Sequence, residues 1–146
     1  MVVIVAIFKY FESREKGESK FPYVSKKILT EAEVCFYNSL KDIVKDKYYI
    51  FSQVQLSSIL QIQRGETMWK KYFNKIIQKS VDFVLIDKQT FQTKLVIELD
   101  DSTHYQWKRQ QRDSFVDQAL KTAGVAILHV KEHNLGEAKL EIYKYL

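Results

Sequence analysis

Carboxylates interrupt two neighbouring apolar segments of this chain. Asp82 stands inside the run 81–86, and Glu98 and Asp100 close the run 94–100. Burying a carboxylate without a partner costs far more than burying a valine, so each run must supply a compensating partner. If the two runs form an antiparallel hairpin, their acidic ends meet at one edge of the sheet, with Glu98 and Asp100 on the same face.

Three carboxylates in so small a region repel one another unless a cation lies between them. Oxygen-only ligands suit Mg²⁺, with Mn²⁺ as a substitute, and such an ion can bind a phosphodiester oxygen and activate a water. The pattern therefore predicts a metal site at Asp82, Glu98 and Asp100. Two of these residues also have an ordinary alternative: Asp82 can cap a turn or pair with Lys79, and Asp100 can begin a loop.

Periodicity and capping signals predict the elements that carry these residues. Thr30 and Glu33 have the spacing of a capping box before a helical apolar pattern that includes Cys35, which we expect in the core. Gly124 has the position of a C′ residue, and a strand reached through a helical crossover joins its sheet in parallel. The predicted elements after the first helix are strand 48–54, helix 66–78, hairpin strands 81–86 and 94–100, helix 105–123, strand 125–130 and helix 136–143.

Composition restricts the class of protein. The chain has 146 residues, of which 46% are hydrophobic, enough for one core, and its net charge of +5 favours a polyanionic partner. One cysteine excludes an internal disulfide and a thiolate zinc site, which is typical of the cytoplasm. The apolar run 2–8 is too short to cross a bilayer, so we expect no stable membrane association. Residues 1–27 are predicted to be an N-terminal strand and mobile arm, and 28–146 the folded domain.

Several motifs in order carry a resemblance to a known family. The segments SVDFVL (80–85), LVIELDD (95–101), STH (102–104) and RDSFVDQAL (112–120), with the helix at 30–37, resemble the DUF2726 family over about 29–130. That family is grouped with the Vsr-like endonucleases and DUF559 proteins in the PD-(D/E)XK nuclease superfamily. The resemblance implies an α/β fold with a restriction-endonuclease-like core, in which helices flank a mixed sheet of about four strands in the order αβββαβ.

The resemblance also implies a metal-dependent endonuclease that hydrolyses phosphodiester bonds of nucleic acid, with DNA expected. It makes Asp82 the principal ligand of Mg²⁺ and Glu98 the first acidic residue of the (D/E)XK motif. Asp100 stands where the superfamily has the lysine that orients or activates the attacking water. The alternative is therefore a catalytically inactive nuclease-fold module that binds nucleic acid or a protein partner. A third reading is an unrelated phosphoesterase for small molecules.

Three further residues are candidates for the site. The resemblance makes His104 a candidate general acid or base, because Vsr-like enzymes place histidine after this strand and imidazole titrates near neutral pH. An exposed position at a helix start is the alternative for His104. Glu33 can reach the site from the first helix to position the metal, and its capping-box role does not exclude this. Gln53 resembles the glutamine that ends the family's first strand, beside the site.

Basic residues near these motifs are candidates for phosphate contact. Arg112 and Lys108 lie four apart on one helix, although a solvated surface is favoured for Lys108. Lys79 precedes Asp82 closely and can supply charge to the metal region or to a phosphate. The resemblance suggests arginine at position 129, where this chain has His129, which we expect to face the core.

The helix predicted at 66–78 has two interpretations. Lys71, with Lys70, Lys75, Trp69 and Tyr72, can form a basic aromatic surface for nucleic acid. The pattern is also that of an ordinary amphipathic helix, which we favour and which predicts that the apolar side chains are buried.

Overall fold

The computed structural model describes residues 21–100, 107–131 and 135–146, without the side chains of 107–114 and 135. The helices and strands follow one another in the predicted order, with one extra helical turn after the first strand. They are α1 (Glu31–Val44), β1 (Tyr48–Gln55), α2 (Leu56–Ile59), α3 (Trp69–Ile76), β2 (Ser80–Asp87), β3 (Thr93–Asp100), α4 (Trp107–Thr122), β4 (Ile127–Lys131) and α5 (Leu135–Tyr143).

One mixed sheet organises the chain. Its strand order is β1-β2-β3-β4, with antiparallel pairing from β1 to β3 and parallel pairing between β3 and β4. The helix α4 makes the crossover that the parallel pair requires. The predicted fold, a mixed four-stranded sheet flanked by helices, is confirmed.

Helices cover the sheet with two separate apolar clusters. One cluster joins α1 and α5 to the strands through Leu40 and Ile142, which, like Phe83 of β2, are fully buried. The other joins α4, α2 and α3 to the strands through Leu120 and Val96. The sheet is therefore the middle layer of an α/β/α arrangement, and Asp82, Glu98 and Asp100 lie at one of its ends.

The first helix begins where the capping box predicts. Glu33 N–H donates to the Thr30 hydroxyl at 3.3 Å, and Thr30 N–H donates to Glu33 Oε2 at 2.6 Å. Its buried side is formed by Phe36, Leu40, Ile43 and Val44. Cys35 is exposed, so the expectation that it lies in the core was wrong. It is adjacent in sequence to the buried Phe36, and one residue rotates a helical position by about 100°.

Two local motifs place the ends of the strands. In the β2–β3 turn, the Asp87 carboxylate accepts from the backbone N–H groups of Thr90 and Gln89 at 2.8 and 2.9 Å, and these hydrogen bonds lower the pKa of Asp87. After α4, Gly124 has φ +74°. Its N–H donates to the Lys121 carbonyl, and Val125 N–H donates to the Leu120 carbonyl. These two hydrogen bonds form a Schellman motif. The predicted C′ role of Gly124 is confirmed.

The helix α3 is shorter and more exposed than its sequence pattern predicts. It spans Trp69–Ile76 rather than 66–78, and Ile76 is its buried residue. The Glu66 carboxylate accepts from Met68 N–H at 2.8 Å just before the helix starts. Within the part of the chain that the structure describes, no helix has the length and apolar character needed to cross a membrane.

Candidate active site

Polar residues of the four strands form one row across the sheet. In the parallel pair, Glu98 lies directly opposite His129. In the β2–β3 hairpin, the last paired residues before the row are Phe83 and Ile97, so the next position outward sets Asp82 against Glu98. The start of β2 and the end of β3 lie side by side here, which brings the predicted residues together, as the hairpin argument requires.

The first strand completes the row with Gln53. Ser52 pairs with Phe83 and Val54 pairs with Val81, but Gln53 and Asp82, which face each other between these pairs, are not paired. Gln53 has φ +53°, a left-handed conformation that a residue with a long side chain seldom adopts. The row is therefore Gln53, Asp82, Glu98 and His129, and it coincides with a local break in the sheet ladder.

Asp82 is fixed by the backbone of the neighbouring strand. Its Oδ2 atom accepts a hydrogen bond from Leu99 N–H at 2.8 Å. Leu99 lies between Glu98 and Asp100, so the bond holds the Asp82 carboxylate against the acidic end of β3. This hydrogen bond is the partner that a carboxylate in an apolar strand needs. The alternative pairing with Lys79 is not formed, since the Lys79 ammonium lies over the Phe115 ring instead.

Glu33 links the first helix to this row. Its Oε1 atom accepts from the Gln53 side-chain amide at 2.7 Å, while Oε2 is held by Thr30 N–H. The capping-box role of Glu33 is confirmed, and the same carboxylate contacts a residue of the row, whereas its role in positioning a metal stays a prediction. The direct contact of Glu33 is with Gln53.

His129 lies between two carboxylates. Its Nε2 is 3.0 Å from Asp117 Oδ1 on α4, and its Nδ1 is 3.4 Å from Asp100 Oδ1 on β3. Burial lowers its pKa, but the hydrogen bonds and charges of Asp117 and Asp100 outweigh this effect, so the pKa of His129 is raised. The imidazolium form can donate from both ring nitrogens.

The expectation that His129 faces the core was wrong. The side chain is 32% exposed and follows Ile127 on the α4 side of β4, where Asp117 meets it. Sequence reasoning also missed Lys131, which lies opposite Asp100 in the β3–β4 register. The usable signal was the predicted parallel pairing, because aligning the ends of β3 and β4 sets these residues side by side.

Carboxylate oxygens dominate the donor set at this edge. Mg²⁺ is commonly held by one or two carboxylates, with water and substrate oxygens completing its octahedron. Asp82 and Glu98 supply the two carboxylates that such a site needs. Among residues 21–100, 107–131 and 135–146, no group of three or more His, Cys, Asp or Glu residues is arranged to hold a metal. The third predicted ligand is Asp100, whose Oδ1 atom lies beside His129 Nδ1. Its role as a metal ligand stays a prediction.

Two lysines, one on α3 and one just before β2, approach α4. The Lys75 and Lys79 ammonium groups lie 5.2 and 5.8 Å from the centre of the Phe115 ring. Lys71 is exposed on α3. The structure thus places Lys79 on the side of the sheet covered by α4, three residues before Asp82.

Three predicted site residues belong to the part of the chain whose side chains the structure does not describe. His104 lies outside the described residues, as does the first part of the arm predicted at 1–27. Arg112 and Lys108 belong to α4, but their side chains are among those not described. Their predicted contacts with substrate stay predictions.

Comparison with known proteins gives a family and no function. No curated protein and no solved structure matches the chain. The family model described as "Protein of unknown function (DUF2726)" matches residues 25–144, which cover every helix and strand described above. The chain therefore belongs to the DUF2726 family.

Proposed function

We propose that this protein is a Mg²⁺-dependent nuclease that hydrolyses phosphodiester bonds of nucleic acid, with DNA as the expected substrate. The observation that carries the proposal is the row across the sheet, with Asp82 held against the backbone between Glu98 and Asp100. Two neighbouring carboxylates at the end of the central strands, one of them fixed by a hydrogen bond, suit a hard cation that must also bind a phosphate oxygen.

The residues have distinct tasks in this proposal. Asp82 and Glu98 hold the metal, which when bound lowers the pKa of a water and offsets charge on the phosphate. Glu33 and Gln53 position the edge of β1 beside Asp82 through their 2.7 Å hydrogen bond. The net charge of +5 favours approach of a polyanion. His104, Arg112 and Lys108 are proposed to contact the substrate on the strength of their motifs alone.

One observation favours a second candidate function. Asp100 occupies the position of the superfamily's lysine and lies 3.4 Å from His129. A carboxylate cannot donate a hydrogen bond to orient an attacking water as an ammonium does. A nuclease-fold module that binds nucleic acid or a protein partner without cleaving is therefore the alternative, unless Lys131 on the adjacent strand supplies the cation.

A nuclease assay separates the two functions. Single-stranded DNA, duplex DNA and RNA are incubated with the protein in Mg²⁺, Mn²⁺ or EDTA, beside Asp82→Asn and Glu98→Gln. The proposal expects metal-dependent cleavage that both variants abolish. Binding without cleavage, under every metal and for every substrate, supports the inactive module and rejects the nuclease.

A further inference from the structure

The helix α3 has an exposed aromatic and basic surface that the sheet edge does not use. Trp69 is 49% exposed, Tyr72 is 40% exposed and Met68 is 42% exposed, although an amphipathic helix packed on the core would bury them. The helix packs on the core through Ile76, so the amphipathic interpretation holds for part of its apolar side, and the nucleic-acid interpretation of the exposed part stays a prediction. Large apolar side chains kept in solvent beside charged ones are a common mark of a binding surface.

Trp69 is arranged as a platform. Its ring stacks on Phe73, with ring centroids 4.6 Å apart and an interplanar angle of 13°. This stack occupies one face of the indole, and the residue still keeps about half of its surface exposed to solvent. A flat ring presented in this way can accept a further flat ring by stacking.

A groove lies beside this platform. It has a volume of about 610 Å³ and runs between α2, the following loop and α3, with Arg64, Trp69 and Phe73 among its lining residues. Volumes of this size are typical of sites that take small molecules or single groups of a larger ligand. The groove therefore combines a stacking surface with an arginine that can meet a phosphate.

The charge of the surface selects an anionic partner. Residues 64–79 contain five basic residues against one acidic residue, Glu66, and α3 carries three of the five. Lys75 and Lys79 both lie over the Phe115 ring, so the positive charge extends from α3 to the start of β2. From Lys79 to Asp82 is a distance of about 10 Å along the strand. A chain of phosphates that follows these lysines thus leads to the proposed site.

We propose that α3 and its groove bind single-stranded nucleic acid, with an unpaired base stacked on Trp69 and phosphates on Arg64, Lys70 and Lys71. Stacking needs an unpaired base, because the faces of paired bases are covered by their neighbours in a duplex. This inference rests on the proposed function only for the fate of the bound strand; binding itself needs no metal and no cleavage.

The test measures binding in EDTA, so that it is independent of hydrolysis. Fluorescein-labelled dT20, rU20 and a 20-base-pair duplex are titrated with the intact protein, and anisotropy is recorded at several salt concentrations. The expected result is tighter binding of the single strands than of the duplex, with affinity falling as salt rises. Trp69→Ala should weaken single-strand binding about 5- to 100-fold, whereas Trp69→Phe keeps a stacking ring and should retain most of it.

Controls keep the result specific. Phe91→Ala removes an aromatic side chain that is 71% exposed at the β2–β3 turn, away from α3, and should leave binding unchanged. Circular dichroism confirms that each variant is folded. Unchanged affinity in Trp69→Ala would refute the proposal, as would equal binding of the duplex. Binding through Trp69 to phosphatidylserine-containing vesicles, with no binding of dT20 or rU20, would instead identify a lipid surface.

The outcomes also separate this inference from the proposed function. If the protein binds dT20 through Trp69 but cleaves none of the substrates, the binding surface is supported and the nuclease proposal is rejected. If the protein cleaves nucleic acid, and Trp69→Ala changes neither the cleavage rate nor the affinity, the nuclease proposal stands and the proposed binding surface is rejected.

Discussion

The hydrogen bond between Asp82 and Leu99 allows a structural role of Asp82 to be separated from a chemical one. Asp82→Ala removes the acceptor and leaves the part-buried Leu99 N–H without it. A hydrogen bond to a charged group contributes about 1.5–3 kcal/mol, which partial exposure to solvent reduces here to about 1–2 kcal/mol. For a chain of this length, that loss lowers the Tm by about 3–6 °C.

Asp82→Asn is the informative partner of this variant. An asparagine carbonyl oxygen can occupy the same position and accept from Leu99, so the stability should fall by less than about 1 kcal/mol. The amide has no negative charge, however, and is a poor ligand for Mg²⁺ compared with a carboxylate. Cleavage should therefore drop at least about 100-fold in both variants, while only Asp82→Ala loses stability.

The assay combines thermal unfolding, followed by circular dichroism, with cleavage of labelled DNA in Mg²⁺. Asp42→Asn, at an exposed position of α1, is the matched control and should match the wild type in both measurements. Cleavage retained by Asp82→Asn would refute the metal-ligand role. If Asp82→Ala were as stable as the wild type, the contribution assigned to the Leu99 hydrogen bond would be wrong.

Three further predictions follow from other contacts. Because the folded-state pKa of His129 is raised, its ion pairs should stabilise the protein fully below the unfolded pKa of about 6.5, and the contribution should disappear as pH rises through the folded pKa. Urea unfolding of wild type and His129→Gln between pH 5.5 and 9 should show a difference at the acid end that closes at the alkaline end; a constant difference would contradict the assignment. Lys131→Ala should reduce cleavage at saturating substrate if this lysine supplies the cation beside Asp100, while Lys139→Ala, an exposed change on α5, should not; equal rates would exclude the role. Gly124→Ala should cost about 1 kcal/mol in unfolding experiments because φ is +74°, although the added methyl group meets open space; an unchanged free energy of unfolding would show that the strain is relieved elsewhere.

Local signals explain why much of the fold was predictable. The capping box at Thr30 and Glu33, the glycine at 124 and the alternating apolar strands each depend on a few neighbouring residues, and each appears in the structure. The parallel placement of β4 followed from the geometry of a crossover, which does not depend on particular side chains.

The properties that were not predictable depend on what packs against a residue. The aromatic side of α3 has the same periodicity whether or not another element covers it, and here Trp69 stays half exposed. His129 lies in an apolar strand, so sequence indicates burial, but the neighbouring helix brings Asp117 to it. The left-handed conformation of Gln53 has no signal in residue type, because glycine or asparagine is expected there.

The conformation of Gln53 sets a limit on how far the protein can be stabilised without changing its edge. A non-glycine residue in the left-handed region costs about 1–3 kcal/mol. Gln53→Gly would relax the backbone and remove this cost. The same replacement deletes the amide that donates to Glu33. At this one position, gains in heat resistance and the rigid placement of β1 against α1 are expected to trade directly against each other.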